Sequence, residues 1–381
     1  MLSRADRSEV ANWWWTIDRY LLAATLMLIC LGIFLSFAAS PSVASRIGIT
    51  DPFHFVRLHI KYTILALIVM MVLSFLSRAY IIRFSWGLFI ISLLLLAFVL
   101  LGGVEIKGAR RWIVLFGTTI QPSEFIKPAF VIICAFFFAN VIKWGRLRVY
   151  GFVILLFLIT ACLLVLEPDI GQTTLIALST AAMFFLGGLS ILFFIILGLV
   201  AAGFGLGAYF TLSHVRERID AFLTGEGDTY QVDVGREAIL HGGWFGQGPG
   251  EGTVKRIIPD AHTDFVFSVA AEEYGIILCL IMVALFAFIV LRVLWLACRG
   301  GDLFSRYATA GLAILFGLQA IINMAVNLHL VPPKGMTLPF ISYGGSSLLA
   351  IGLTMGLIMA LTRKRAHSHI SSVLDPMGVR I

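Results

Sequence analysis

Pro259-Asp260-Ala261-His262-Thr263-Asp264-Phe265 runs without a break into the apolar stretch 265–291. A helix needs roughly 20 apolar residues to cross a hydrocarbon core, so this stretch reads as a membrane span. Asp264 then stands at the mouth of a membrane helix, with Glu272 and Glu273 about two turns deeper. Ionisable side chains at such depth are costly and mark functional positions by default.

The remainder of the chain fits the same reading. Of 381 residues, 60% are apolar and 13% charged, and the mean hydropathy is +0.98, which excludes an ordinary soluble domain. Apolar runs recur at approximately 20–40, 56–77, 82–102, 122–142, 150–166, 171–187, 189–213, 265–291, 303–329 and 342–362. The expected fold is an all-α polytopic membrane protein of about ten transmembrane helices, with one large polar loop, 214–263, between the seventh and eighth. Residues 1–19 read as an N-terminal tail, 20–363 as the membrane domain and 364–381 as a C-terminal tail. Arg4, Arg7 and Arg19 flank a first span too long for a signal peptide, so it reads as an uncleaved anchor with Trp13-Trp14-Trp15 at the membrane surface. Cys30, Cys134, Cys162, Cys279 and Cys298 have no metal-ligand spacing and read as packing residues.

Short basic loops set the orientation. Arg78, Arg83, Lys143, Arg146, Arg148, Arg292, Arg299, Arg306 and Arg363-Lys364-Arg365 fall on one side, which places both termini in the cytoplasm. The large loop is then extracytoplasmic. That outer face is basic as well, through Lys107, Arg110, Arg111, Arg216, Arg218, Arg236, Lys255, Arg256 and Lys334. An anionic ligand accounts for this excess, and contact with anionic lipid is the other account.

Four elements concentrate polar chemistry on the outer side. The loop 214–263 carries glycines at 242, 243, 246, 248, 250 and 252, which permit close approach to a ligand, and the aromatics Tyr230, Trp244 and Phe245. Without a strand before it and a helix after it, the glycine run is not a nucleotide loop, and no nucleic-acid partner is expected. The second element is Lys107-Gly108-Ala109-Arg110-Arg111-Trp112-Ile113, leading to Gln121-Pro122-Ser123-Glu124 and Lys127. Glu124 and Lys127 share a helix face; they form a structural ion pair, or Lys127 faces an outer cavity and meets a phosphate. The third, Glu167-Pro168-Asp169-Ile170-Gly171-Gln172, breaks two spans with two carboxylates, which cap the turn or serve the site. The fourth runs from Val331 to Ser347; its Pro, Gly and hydroxyl residues imply irregular backbone that lines a cavity or is buried in protein.

Together these blocks resemble the SEDS family of membrane peptidoglycan polymerases. The matching residues are Lys107 to Ile113, Gln121 to Glu124 with Lys127, Pro168 to Gly171, Pro259 to Phe265 and Ser342 to Ser347, in the family's order, over about 15–365. Ala261 to Phe265 with Glu272-Glu273, and Pro333 to Pro339, are similar to the division-type branch. Glu167 stands where glutamine is common, and Pro249 interrupts the usual glycine run.

The resemblance implies polymerisation of lipid II at the outer leaflet of the bacterial inner membrane, at the division septum. It also implies a class B penicillin-binding protein of the FtsI type as partner, with other division proteins. Asp264 matches the family's essential carboxylate. An α-linked donor and β-linked product need a single inverting displacement, with Asp264 as general base. Arg110, Arg111, Lys127, Arg256 and Lys334 are the candidates to hold the leaving diphosphate. Glu124, Asp169, His262, Ser268, Glu272, Ser346 and Ser347 are the candidates for the supporting cavity, Asp264, Ser268 and Glu272 lying on one helix face. No ligand cluster demands a cofactor; a divalent cation, magnesium or manganese, could share the diphosphate's charge on Asp169 or Glu124. Two rivals remain: a flippase for the lipid-linked precursor, and a non-catalytic division scaffold.

Overall fold

The computed structural model describes residues 8–106, 109–115, 117–211, 216, 220, 230–332 and 335–363. Helices occupy all ten expected places. They are α2 (Arg19–Arg46), α3 (His54–Ser74), α4 (Arg78–Gly102), α5 (Pro122–Ala139), α7 (Arg146–Leu166), α8 (Ile170–Leu186), α9 (Ile191–Thr211), α11 (Val266–Cys298), α12 (Leu303–Asn327) and α13 (Gly345–Thr362). Eight are long and apolar enough to cross a membrane among the described residues, α8 is shorter, and α9 is a further apolar helix of 21 residues. Short helices α1 (Glu9–Thr16), α6 (Val141–Trp144) and α10 (Tyr230–Gly242) complete the set.

Local chemistry fixes where these helices begin. Asp18, Asp169 and Asp302 cap α2, α8 and α12 by accepting from Leu21, Gln172 and Ser305 backbone N–H groups at 2.9, 3.3 and 3.0 Å. Pro122 opens α5, where its missing N–H costs nothing. Packing then separates centre from periphery. In α5 and α13, 78% of the apolar window is buried, against 22% in α7, so α5, α12 and α13 form the core and α4, α7 and α11 turn much of their surface outward. A Cβ on Gly352 would lie 2.6 Å from the Ala66 carbonyl oxygen, which shows how closely α13 approaches α3.

Two features depart from the sequence reading. Within the all-α bundle the outer loop before α5 carries a small sheet that the sequence reading did not foresee: β1 (Val104–Ile106), β2 (Ala109–Leu115) and β3 (Thr118–Ile120) pair antiparallel. Its residues explain it. Trp112-Ile113-Val114-Leu115 and Thr118-Thr119-Ile120 favour a pleated surface, and Gly117 takes a φ of 75° in the connection.

The second departure concerns α11, which breaks at Gly275, where φ is 79° and ψ 177°. Residues 266–274 therefore form a short segment distinct from the long crossing helix. The glycine loop lies against this break. Gln247 and Gly248 N–H groups donate to the Glu272 and Glu273 carbonyls at 2.8 and 3.0 Å, and Ile276 N–H donates to Gly243 O at 3.0 Å. A Cβ on Gly246 would sit 2.2 Å from Glu273 O, and one on Gly242 1.9 Å from Ala271 O. Of the glycines expected to approach a ligand, Gly242 and Gly246 approach the α11 backbone instead.

Gly246→Ala should therefore destabilise the protein by about 1–3 kcal/mol, since the added methyl meets backbone that cannot move aside. Gly203→Ala, in open space on α9, should leave the melting temperature nearly unchanged. Thermal unfolding in detergent of the two variants beside wild type checks both.

Candidate functional site

Asp264 is half-buried at the head of α11, where the helix dipole favours a carboxylate. The preceding turn is tight: Asp260 takes a φ of 54°, and its carbonyl accepts from Thr263 and Asp264 at 3.0 and 3.1 Å. The Asp264 carbonyl is held from the other side by two buried carboxamides of α12. Asn323 Nδ2 and Asn327 Nδ2 each donate to it at 2.9 Å. Asn327 Oδ1 in turn accepts from the Ser268 hydroxyl at 2.8 Å, and Asn323 Nδ2 also donates to Met336 O at 2.6 Å. Sequence reasoning missed Asn323 and Asn327; amides spaced four apart inside an apolar helix were the available signal.

The outer loops meet around this point. Ser346 Oγ accepts from Gln121 N–H at 3.0 Å and donates to Thr119 O at 3.3 Å, joining the sheet to the head of α13. Ser347 and Thr337 hydroxyls lie 2.6 Å apart. His262 stacks on Tyr343 with ring centroids 5.6 Å apart, and its carbonyl accepts from Tyr343 N–H at 2.9 Å. A Cβ on Gly335 would be 3.7 Å from Asp264 Oδ2, so the proline-rich loop lies over the carboxylate. Lys334 itself falls outside the described residues, as does Lys107.

The cations divide into two groups. Arg110 is exposed on β2, 3.5 Å from Glu105. Arg111 reaches the α7–α8 break, where it donates to the carbonyls of Glu167 and Pro168 and lies 3.8 Å from Asp169. Arg256 is exposed and lines a cavity of about 460 Å³ with Lys255, Glu273 and Tyr274. Lys127, by contrast, is 2% exposed. Its ammonium donates to Glu124 at 2.9 Å and to Gln319 Oε1 at 3.3 Å, while Gln172 Nε2 donates to the other Glu124 oxygen at 2.6 Å. Of the two readings open for Lys127, the geometry fits the structural ion pair and not the outer cavity: the ammonium lies in a buried network, where burial without its partners would strand a charge.

Ser268 and Glu272 likewise line no open wall. Glu272 is fully buried, and its two oxygens accept from Val254 and Lys255 N–H groups, each at 2.7 Å. Lys255 forms a buried ion pair with Glu273 and donates to Ala38 O at 3.3 Å. These carboxylates fasten the large loop to the segment that carries Asp264.

Asp169 caps α8 and accepts from Gln121 Nε2 at 3.1 Å. Its pKa is raised, by burial foremost, with Arg111 opposing. Beside it, Glu167 is 1% exposed, and neither carboxyl oxygen has a hydrogen-bond partner among the described residues. Burial, and then repulsion from Asp169, push its pKa up to about 8, so it is largely protonated at neutral pH.

Comparison with known proteins adds an independent line. The profile of the FtsW/RodA/SpoVE family, described as cell cycle protein, matches residues 19–367. The chain is 45% identical to a probable peptidoglycan glycosyltransferase FtsW of Caulobacter vibrioides, over 97% of this chain and 95% of that one. It is 35% identical to the corresponding protein of Coxiella burnetii, covering 91% and 96%. Among solved structures it is similar to a chain of a peptidoglycan synthase complex, studied for the structural coordination of polymerization and crosslinking. That match has a TM-score of 0.79 and 30% identity, covering 91% of this chain and 97% of the other. The rod shape-determining protein RodA of Thermus thermophilus superposes with a TM-score of 0.68 at 28% identity, covering 93% and 99%.

Two outcomes follow from the geometry. Asn327→Leu should lower stability by about 1–3 kcal/mol, because the Ser268 hydroxyl loses its acceptor; a urea melt of the purified protein measures it. Glu167 binds a proton more tightly folded than unfolded, so its contribution falls as pH rises from about 4.5 to about 8. Glu167→Gln should flatten that slope and raise the melting temperature at pH 8.5, as read by thermal scans across pH.

Proposed function

The chain belongs to the FtsW/RodA/SpoVE family of cell cycle proteins, and from that premise we propose that it is the peptidoglycan glycosyltransferase of cell division. It is a multi-pass membrane protein and an enzyme, and it extends glycan strands from lipid II. The observation that carries the site assignment is Asp264: one carboxylate at a helix head, its backbone clamped by Asn323 and Asn327, where four polar loops meet.

The reaction asks for little covalent chemistry from the protein. The acceptor 4-hydroxyl oxygen attacks the anomeric carbon of the donor as the bond to the diphosphate oxygen breaks. Asp264 takes the hydroxyl proton, and the electron pair of the broken bond leaves on undecaprenyl diphosphate. A single displacement inverts the α-linked donor to a β-linked product, so no second carboxylate is needed as nucleophile. The helix head favours a carboxylate at Asp264, and the tight turn beneath it fixes its direction.

For the diphosphate, the candidate cations among the described residues are Arg110, Arg111 and Arg256, with Lys334 kept from the sequence alone; Lys127 is committed to Glu124 and Gln319 and acts by holding α5 to α12. Arginine forks match phosphate oxygens in pairs. Glu124 and Asp169, the carboxylates that would hold a divalent cation, already accept from Gln172 and Gln121, so a cation there would compete with those bonds while supplying charge to the diphosphate. Trp244 and Phe245 stand 64% and 82% exposed at the α10 turn. They offer an aromatic face to a class B penicillin-binding protein, which crosslinks the strand as it emerges. The working face is the extracytoplasmic side of the inner membrane, at the septum.

The test uses fluorescent lipid II with the purified protein and its cognate class B partner. Wild type should give long strands. Asp264→Asn should fold, bind the partner and lose activity by about 10²–10⁴-fold, the usual worth of a general base. Strand synthesis by Asp264→Asn at the wild-type rate would remove the carboxylate from the mechanism. No product from either protein, with the complex intact, would bring the flippase reading forward.

A further inference from the structure

At the end of the bundle away from Asp264, five helices stop around a cavity of about 360 Å³. Its walls carry Arg78, Arg292, Arg299 and Arg363, against two carboxylates, Asp18 and Asp302. Both carboxylates are shared. Asp18 caps α2 and takes the Arg292 fork at 3.3 and 2.6 Å, and Asp302 caps α12 and lies 3.0 Å from Arg78. Arg363 donates to Thr16 Oγ1 at 3.0 Å and to Ser74 O at 3.4 Å. Arg299 is exposed and has no carboxylate partner among the described residues; it lies over the Trp295 ring at 3.7 Å. The acids thus orient the guanidiniums without cancelling them.

Position identifies the occupant. The cavity lies where apolar helices end, the depth at which headgroups lie and tryptophan and tyrosine gather. Trp295 and Tyr20 flank it, with Arg292 over both rings at 4.5 and 5.2 Å. One and two turns into α11, Leu291 and Phe288 are 65% and 44% exposed, an apolar track for acyl chains leading from the arginines. We propose that this cavity binds the phosphate of an anionic phospholipid headgroup in the adjoining leaflet. Arginine forks meet the phosphate oxygens while the chains run down α11. The site is separate from the glycosyl-transfer machinery and does not depend on that assignment.

The experiment is native mass spectrometry of the full chain, released from nanodiscs with graded phosphatidylglycerol in phosphatidylethanolamine. Wild type should retain phosphatidylglycerol selectively. Arg299→Gln, with an unchanged melting temperature, should retain about tenfold less, the worth of one charge-assisted hydrogen bond. Arg83→Gln, an exposed cation outside the cavity, should bind as wild type does. Equal retention by wild type and Arg299→Gln overturns the proposal. So does an equal loss in Arg83→Gln, which would mean diffuse surface attraction. Displacement of the lipid by millimolar inorganic phosphate would assign the cavity to free phosphate instead, and binding of a polyglutamate peptide in preference to phosphatidylglycerol would assign it to a protein segment.

Discussion

A backbone that stops being helical at membrane depth must find partners for the carbonyls it frees. In this protein that constraint falls on α11 at Gly275, and the glycine loop answers it. Gln247 and Gly248 supply N–H groups to the carbonyls of Glu272 and Glu273, while the side chains of those same residues take the Val254 and Lys255 N–H groups and the Lys255 ammonium. Loop and broken helix therefore satisfy each other. Each arrangement supplies the partners the other lacks, which is why a loop that reads as polar packs its 242–248 backbone against α11.

The position of Asp264 depends on that mutual support. It sits between the loop, through the Asp260 turn, and α12, through Asn323 and Asn327. Asp264 is thus referenced to the central helices and to the loop at once, so its position depends on both.

The two ends of the bundle use arginine differently. On the Asp264 side, Arg111 secures the α7–α8 break and Arg256 stands exposed beside a cavity. At the opposite end, arginines line a pocket among helix ends, steadied by capping aspartates and tryptophan faces. The excess of cations on both faces, awkward for a simple orientation rule, has a local account at each.

Much of the fold was legible in the sequence because the bilayer permits few backbone solutions: the ten apolar runs give ten helices, and the motif around Asp264 lies at a helix head. The Glu124–Lys127 pair was legible too, since spacing of three on a helix places both on one face. What tertiary structure alone decided is which polar groups meet across distance. That Lys127 is sealed by Gln172 and Gln319, that Glu272 holds a loop instead of lining a cavity, and that Asn323 and Asn327 grip Asp264 all depend on helices far apart in the chain. Periodicity reports the face a residue occupies on its own helix. Which neighbour lies against that face is set by packing, and in an apolar medium the neighbour determines whether a charge is structural or free to react.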